Sequence, residues 1–245
     1  MKSQGQVVVV GGSRGLGRVV VERYRSLGYV VTNISRQKPT DDLSTFHVSA
    51  DLEAISSSEN VVSEVVRLGG EVRYLIFSQR YRGKGDSWHG EIQVSLTATK
   101  ILIDGFAKHF CKDGDRAIGV VSSVYAELVG GSQPVSYHVA KAGLNQLVKY
   151  NAWVMGRLGI RINAIMPLTY LKAESKDYYL ENTNLMDLYK DLVPLGSIGK
   201  TDDSVNLLEF LCSKKASFIN GQSIYIDGGV SVIWPEELAK SMAAL

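Results

Sequence analysis

Cysteine is scarce in this sequence, and the patterns that accompany it in metal and disulfide sites are missing. The 245 residues include two cysteines, Cys111 and Cys212. Neither belongs to a Cys-x-x-Cys motif or lies near a cluster of histidines, which disfavours both a disulfide framework and a structural zinc site. We therefore expect reduced thiols and no bound metal.

Long apolar runs and a surplus of charge are missing as well. No stretch approaches the roughly 18 consecutive apolar residues of a membrane helix, and residues 1–10 do not resemble a signal peptide. The net charge is +2, from 27 basic and 25 acidic residues. This balance gives no reason to expect nucleic acid or an anionic membrane as a partner. The sequence favours a soluble, cytoplasmic protein.

The sequence does contain a regular alternation of short apolar runs and longer amphipathic segments. Val7–Val10 is a run of four valines followed by glycines, which is typical of a strand buried on both faces. The other candidate strands are 29–34, 46–48, 72–77, 117–121, 160–165 and 223–226. Segments with helical spacing lie between the strands, at 16–27, 60–68, 92–110, 136–158 and 204–211.

This alternation predicts an α/β fold: a doubly wound, Rossmann-type parallel sheet of about seven strands in the order 3-2-1-4-5-6-7, with helices on both faces. We expect residues 1–245 to form one domain. Two irregular stretches interrupt the alternation, at 78–89 and 168–201. The longer one contains several tyrosines, and its position after a strand predicts a lid or substrate loop.

A glycine-rich loop follows the first strand and opens the first helix. It reads Gly11-Gly12-Ser13-Arg14-Gly15-Leu16-Gly17. Such a loop allows the backbone to approach a pyrophosphate and directs the N–H groups of the helix toward the anion. Because the Lys-Ser/Thr of a P-loop is absent, the loop predicts dinucleotide binding rather than ATP hydrolysis.

The end of the second strand bears on which dinucleotide is bound. A carboxylate at that position binds a free ribose 2′-hydroxyl, whereas an arginine accommodates a 2′-phosphate. The chain reads Ser35-Arg36, and no acidic residue follows before Asp41. Arg36 and Arg14 are therefore candidates to bind a phosphate. We expect NADP(H) to be preferred, with NAD(H) as the alternative.

Tyr137 and Lys141 are four residues apart near the start of a predicted helix, and hence on one face. An ammonium beside a phenol favours the phenolate, so Lys141 is expected to lower the pKa of Tyr137 from about 10. A tyrosine tuned in this way can act as general acid or base for a carbonyl–alcohol pair.

Together these motifs resemble the short-chain dehydrogenase/reductase family over nearly the whole chain. The family's Gly-x-x-x-Gly-x-Gly and Tyr-x-x-x-Lys motifs are both present. Further matches are Asp51-Leu52, Ser122-Ser123, Asn163, Pro167, Pro194-Leu195-Gly196, Ile219-Asn220-Gly221-Gln222 and Asp227-Gly228-Gly229.

The resemblance implies roles for particular residues. Tyr137 would exchange the proton of the substrate oxygen, and Lys141 would hold the nicotinamide ribose. Ser123 would hydrogen-bond the substrate carbonyl, with Ser122 as a weaker candidate. The cofactor-binding set would be Gly11, Ser13, Arg14, Gly15, Leu16, Gly17, Ser35, Arg36, Asp51, Leu52, Ser78, Gln79, Tyr137, Lys141, Pro167 and Thr169.

The sequence also departs from the family pattern. Ser95 occupies the position of a fourth catalytic residue, an asparagine that supports a water-mediated proton path toward the lysine. A serine can still hold a water, so we keep Ser95 in the catalytic set. The family's Asn-Asn-Ala-Gly is replaced by Phe77-Ser78-Gln79-Arg80. Arg80 and Arg82 are either contacts for an acidic substrate or ordinary surface residues.

The leading hypothesis is an NADP(H)-dependent oxidoreductase that acts on a ketone or secondary alcohol. Its partners would be that small molecule and further copies of the chain, because the resemblance implies a homodimer or homotetramer paired through helices 92–110 and 136–158. The alternative is a non-catalytic dinucleotide-binding regulator or scaffold, and a nucleotide-sugar epimerase or dehydratase is a third hypothesis.

Overall fold

The computed structural model describes residues 5–40, 43–171 and 181–243. Its main sheet has seven parallel strands in the spatial order β3-β2-β1-β4-β5-β6-β9. This is the predicted order 3-2-1-4-5-6-7, because β9 is the seventh strand of this sheet along the chain. The strands are β1 (Gln6–Val10), β2 (Val30–Ser35), β3 (Phe46–Ser49), β4 (Val72–Phe77), β5 (Ala117–Val121), β6 (Arg161–Pro167) and β9 (Ser223–Ile226).

Helices cover both faces of this sheet, as the sequence predicts. The helices are α1 (Gly15–Ser26), α2 (Glu59–Gly69), α3 (Ser87–Glu91), α4 (Ala98–Phe106), α5 (Val135–Gly156), α6 (Thr183–Leu192), α7 (Thr201–Cys212) and α8 (Pro235–Met242). Val8 and Val10 pack into one apolar cluster, together with residues of α2, α4 and α5. Val7 and Val9 pack into a second cluster with α1 and α7. The valine run is therefore buried on both faces.

The predicted helix 92–110 differs from the observed one in its start and in its form. The helix begins earlier, at Ser87, because the Asp86 side chain accepts a hydrogen bond from the Trp88 N–H at 2.9 Å and caps the first turn. Residues Ile92–Thr97 then form a π-helix before α4 begins. Short π-helical segments are frequent at functional sites, and this one contains Ser95.

The stretch 168–201 contains its own secondary structure. Strand β7 (Tyr170–Leu171) pairs in parallel with β8 (Gly199–Lys200) to form a second, two-stranded sheet. Helix α6 lies between them in the chain. Tyr178 and Tyr179, two of the tyrosines of the predicted lid, lie outside the described residues.

Within the described ranges, no helix has the length and apolar character needed to cross a membrane. The same residues contain no cluster of histidine, cysteine and carboxylate side chains arranged to hold a metal ion.

Candidate active site

Two adjoining cavities lie at the carboxyl edge of the main sheet, with volumes of about 540 and 260 Å³. Of the predicted site residues, the larger cavity is lined by Gly11, Ser13, Arg14, Ser35, Arg36, Asp51, Leu52, Ser78 and Gln79. The smaller cavity is lined by Arg14, Gly15, Leu16, Ser78, Gln79, Ser123, Tyr137, Lys141, Pro167 and Thr169. Gly17 and Ser95 line neither cavity.

The glycine loop connects β1 to α1 in a form that only glycine permits. Gly11 has φ of +85°, and a Cβ at this position would lie 2.8 Å from the backbone of Gln79. A Cβ on Gly17 would lie 2.3 Å from both the Gly11 carbonyl oxygen and the Ser78 hydroxyl oxygen. Gly17 therefore serves the close packing of α1 onto the loop rather than lining the cavity.

Asn33 on β2 holds the glycine loop in place and was not among the predicted site residues. Its side chain is fully buried, and its Oδ1 accepts a hydrogen bond from the Gly12 N–H at 3.0 Å. The available signal in the sequence was an amide side chain between Thr32 and Ile34 within a predicted buried strand, because a buried amide requires a partner. Asn33 orients the loop without reaching the cavity.

The larger cavity has a predominantly basic lining. Five basic side chains line it, against two acidic ones. Arg36 Nη1 forms an ion pair with Glu53 Oε1 at 3.0 Å, and both side chains are partly exposed. An exposed pair of this kind is worth only about 0–1 kcal/mol, so a phosphate can compete for Arg36. The buried Leu52 provides an apolar wall at the same end.

The smaller cavity brings together the predicted catalytic side chains from two elements. Tyr137 and Lys141 lie one turn apart on α5, and Ser123 follows β5. Ser123 lines the cavity beside Tyr137, and hydrogen bonding by its hydroxyl lowers the pKa of the Tyr137 phenol. Lys141 is buried, and its ammonium donates to the Val121 carbonyl at 2.8 Å and lies 5.6 Å from the centre of the Tyr137 ring.

The structure separates the two candidate serines. Ser122 donates its hydroxyl to the backbone carbonyl of Lys141 at 3.3 Å. Ser123 accepts from the Tyr125 N–H at 3.2 Å while contacting Tyr137. The serine next to the phenol is therefore Ser123, and Ser122 anchors the backbone of α5.

The protonation of Tyr137 differs from the sequence-based expectation. Burial raises the pKa of the Tyr137 phenol above its usual value, although the hydrogen bond from Ser123 and the charge of Arg80 act in the opposite direction. The expectation that Lys141 lowers this pKa is wrong for this structure, because burial outweighs the attraction of nearby cations. Burial also lowers the pKa of Lys141 to about 8, and Glu91 opposes that shift.

Glu91 is the main member of the site that sequence reasoning missed. Its side chain is 3% exposed, and its Oε2 accepts a hydrogen bond from Ser95 Oγ at 2.9 Å. Its negative charge acts on both Tyr137 and Lys141. The available signal was the spacing of Glu91 and Ser95, four apart on one helical face, but burial of the carboxylate depends on packing against α5.

Comparisons with known proteins agree with this geometry. The family model described as enoyl-(acyl carrier protein) reductase matches residues 11–231. An L-rhamnose 1-dehydrogenase (NAD(P)(+)) from Azotobacter vinelandii is 30% identical over an alignment that covers 92% of this chain and 96% of the relative.

Two solved structures share the fold. One is the aldohexose dehydrogenase of Thermoplasma acidophilum, with a TM-score of 0.83 and 23% identity over 94% of this chain and 95% of that one. The other is a gluconate 5-dehydrogenase from Burkholderia cenocepacia in complex with NADP and tartrate, with a TM-score of 0.79 and 20% identity over 95% and 97%. With the family model extending over most of the chain, these results show that the protein is an oxidoreductase of the short-chain dehydrogenase/reductase family.

Proposed function

We propose that this enzyme is an NADP(H)-dependent reductase that interconverts a ketone and a secondary alcohol, with Tyr137 as the general acid and base. The observation that carries the proposal is the partly buried Tyr137, which lines the smaller cavity together with Ser123 and with Lys141 one helical turn away. This cavity adjoins the larger one with its predominantly basic lining.

The two cavities together fit a dinucleotide. A Cβ on Gly11 or Gly17 would lie within 2.8 Å of neighbouring atoms, and Arg14, the N-cap residue of α1, makes no side-chain hydrogen bond to the first turn. A pyrophosphate beside this loop would lie at the N-terminus of α1, where the helix dipole favours an anion. Ser13, Arg14 and Leu16 would surround the pyrophosphate, and Asp51 and Leu52 the adenine. When bound, the nicotinamide supplies or accepts the hydride.

The side chains of the smaller cavity handle the proton. A phenol with a raised pKa is protonated at neutral pH, which is the form required of a proton donor to a carbonyl oxygen. Ser123 would donate a hydrogen bond to the same oxygen and stabilise the negative charge that develops there. Lys141 would hold the nicotinamide ribose and stabilise the phenolate that remains. The resting site is therefore suited to reduction.

Ser95 and Glu91 would complete the proton path. The hydroxyl of Ser95 donates to the buried carboxylate of Glu91, and Ser95 itself lines neither cavity. The Glu91 carboxylate favours the charged form of Lys141. In the proposed path it would exchange a proton with Lys141. Ser95 would thus act through Glu91 instead of contacting the substrate.

NADP(H) is the proposed form of the cofactor. Arg14, Arg36 and Lys38 line the cavity beyond the end of β2, where a 2′-phosphate is bound in folds of this type. The competing features are Asp51 and Glu53 in the same lining. The excess of basic side chains supports the phosphorylated cofactor, with NAD(H) as the weaker ligand.

The chain is further proposed to act as one domain and to pair through α5. The stretch 168–201 would form the lid, since Tyr170 and Thr169 already line the smaller cavity. Large apolar side chains on α5 are exposed to solvent, among them Val135, Tyr150 and Trp153. Exposed apolar surface of this kind marks an interaction site, and we propose a homodimer or homotetramer.

The central test is Tyr137→Phe. We expect turnover of carbonyl substrates to fall by about 10²–10⁴-fold, as for loss of a general acid, while NADPH affinity measured by titration stays near that of the wild type. A variant that retains turnover would refute the assignment of the proton donor. Tighter binding of NADH than of NADPH by the wild type would refute the assignment of the cofactor.

A further inference from the structure

Arg80 lies where the two cavities meet and covers the face of the proposed catalytic tyrosine. Its guanidinium carbon is 5.0 Å from the centre of the Tyr137 ring, and it lines both cavities. One Nη donates to Gln133 Oε1 at 3.2 Å. The Nε is buried and has no acceptor in the part of the chain that the structure describes.

A buried donor without an acceptor is costly, and arginine retains its charge in proteins. An acceptor supplied by a ligand removes this cost. The guanidinium fork matches the two oxygens of a carboxylate or phosphate. The partly satisfied Arg80 therefore indicates an anionic ligand group beside Tyr137.

The loop that carries Arg80 is held rigidly. Tyr81 is 8% exposed and belongs to the apolar core under the sheet. Gly83 and Gly90 lie against its ring so closely that a Cβ on either would be 2.4 and 2.3 Å from ring atoms. With Tyr81 fixed in the core, the residues on either side of it, Arg80 and Arg82, both line the cavities. The packing of Tyr81 thus holds the backbone that carries both arginines at the cavities.

The charges around Tyr137 are unbalanced without a ligand. Arg80 and Lys141 are cations that act on the site, and the carboxylate that opposes them is the buried Glu91. Arg82 is exposed and lines both cavities as well. In a buried site such an excess attracts an anion more strongly than in water.

We propose that Arg80 and Arg82 form a recognition site for an anionic group, a carboxylate or a phosphate ester, that the substrate carries close to its carbonyl. This inference rests on the proposed function and specifies its substrate class. The hydride adds to the carbonyl carbon and the Tyr137 proton to the carbonyl oxygen, while the anionic group is unchanged and serves only to orient the substrate.

The test compares matched substrates that differ in this charge. Acetoacetate is paired with acetoacetamide, and dihydroxyacetone phosphate with dihydroxyacetone, each measured with NADPH on the wild type, Arg80→Gln and Arg82→Gln. Lys84→Gln is the control, because Lys84 is exposed on the same loop and lines neither cavity. Which pair responds distinguishes a carboxylate from a phosphate.

We expect the wild type to have a kcat/KM about 10- to 100-fold higher for an anionic member than for its neutral partner, the range of one charge-assisted hydrogen bond. Arg80→Gln should abolish this preference, Arg82→Gln should reduce it, and Lys84→Gln should leave it intact. A wild type that prefers the neutral members overturns the proposal. Weaker NADPH binding by Arg80→Gln with an unchanged preference also overturns it and assigns Arg80 to the cofactor.

A second experiment tests the anion site without relying on turnover. 3-Hydroxybutyrate and glycerol 3-phosphate are each titrated into the NADPH-saturated protein, and binding is measured by calorimetry. Binding that Arg80→Gln abolishes, combined with no turnover of any carbonyl, would sustain the anion site and refute the reductase. Turnover of neutral carbonyls without binding of either anion would sustain the reductase and refute the anion site.

Discussion

The two adjoining cavities are built in different ways. The larger one includes the β1–α1 turn, where Gly11 leaves no space for a side chain, and Arg14, at the start of α1, lines both cavities. The smaller one contains the partly buried Tyr137 and the buried Lys141, and the charge of the buried Glu91 acts on both. The first recognises a ligand by shape and fixed dipoles, and the second depends on the protonation state of its members.

This difference separates binding from chemistry. The backbone of the glycine loop would stabilise the cofactor equally in the ground and transition states. The ionisable side chains of the smaller cavity would instead act on charge that develops during the reaction. Substitutions in the larger cavity should therefore change cofactor affinity, and substitutions in the smaller one should change kcat and its pH dependence. Four predictions test this division.

The largest effect is expected at the serine beside the phenol. Ser123→Ala should lower kcat by about 10²–10³-fold, the range for removal of one donor to a developing oxyanion, with NADPH affinity unchanged. Ser122→Ala is the matched control, because Ser122 donates to the Lys141 backbone, and steady-state assays should show a small change. Equal losses in both variants would contradict the distinction between the two serines.

Gly17→Ala should act on binding instead. The added Cβ would lie 2.3 Å from the Gly11 carbonyl oxygen and displace the loop, and a displacement of this size costs on the order of 100-fold. We expect that loss in NADPH affinity, measured by fluorescence titration, with the melting temperature recorded alongside. Gly131→Ala is the control, because a Cβ there meets no atom within 4 Å. An unchanged NADPH affinity in Gly17→Ala would show that the glycine loop can shift to accommodate the added Cβ without losing the cofactor.

Arg36→Ala should weaken NADPH by about tenfold, the value of one exposed charge-assisted bond, and leave NADH nearly unaffected. Glu53→Ala should have the opposite sign, because it releases Arg36 from its ion pair. Parallel titrations with the two cofactors measure this ratio. If Arg36→Ala weakens the binding of NADPH and of NADH equally, Arg36 does not contact the 2′-phosphate.

The smallest effect concerns pH. Lys141 is charged below its pKa of about 8, so kcat/KM for reduction should fall as the pH rises through that value. Glu91 raises this pKa, so Glu91→Gln should move the falling limb to lower pH, as measured by the pH profile of kcat/KM. Ser95→Ala keeps the charge and should move the limb less. A limb that stays in place in Glu91→Gln would exclude Glu91 from the proton path.

The two cavities also differ in how much of each the sequence reveals. The glycine loop lies within seven consecutive residues, and most of them line a cavity, while their binding of a dinucleotide stays a prediction. Tyr137 and Lys141 are recognisable because a helix places residues four apart on one face. From the sequence, Arg80 was either a substrate contact or a surface residue. The packing of Tyr81, which places its neighbour Arg80 at the cavities, favours the first interpretation. Glu91 was missed, because burial of a carboxylate leaves no local pattern.

Local features of the sequence therefore determined the order of strands and helices, the family and the glycine cradle, since each depends on residues close together in the chain. The tertiary structure decided which serine lies beside Tyr137, that burial raises the pKa of Tyr137, and that the Glu91 carboxylate is buried. Those properties depend on how far water is excluded and which charges face each other. Both are set by elements distant in sequence that meet at the edge of the sheet.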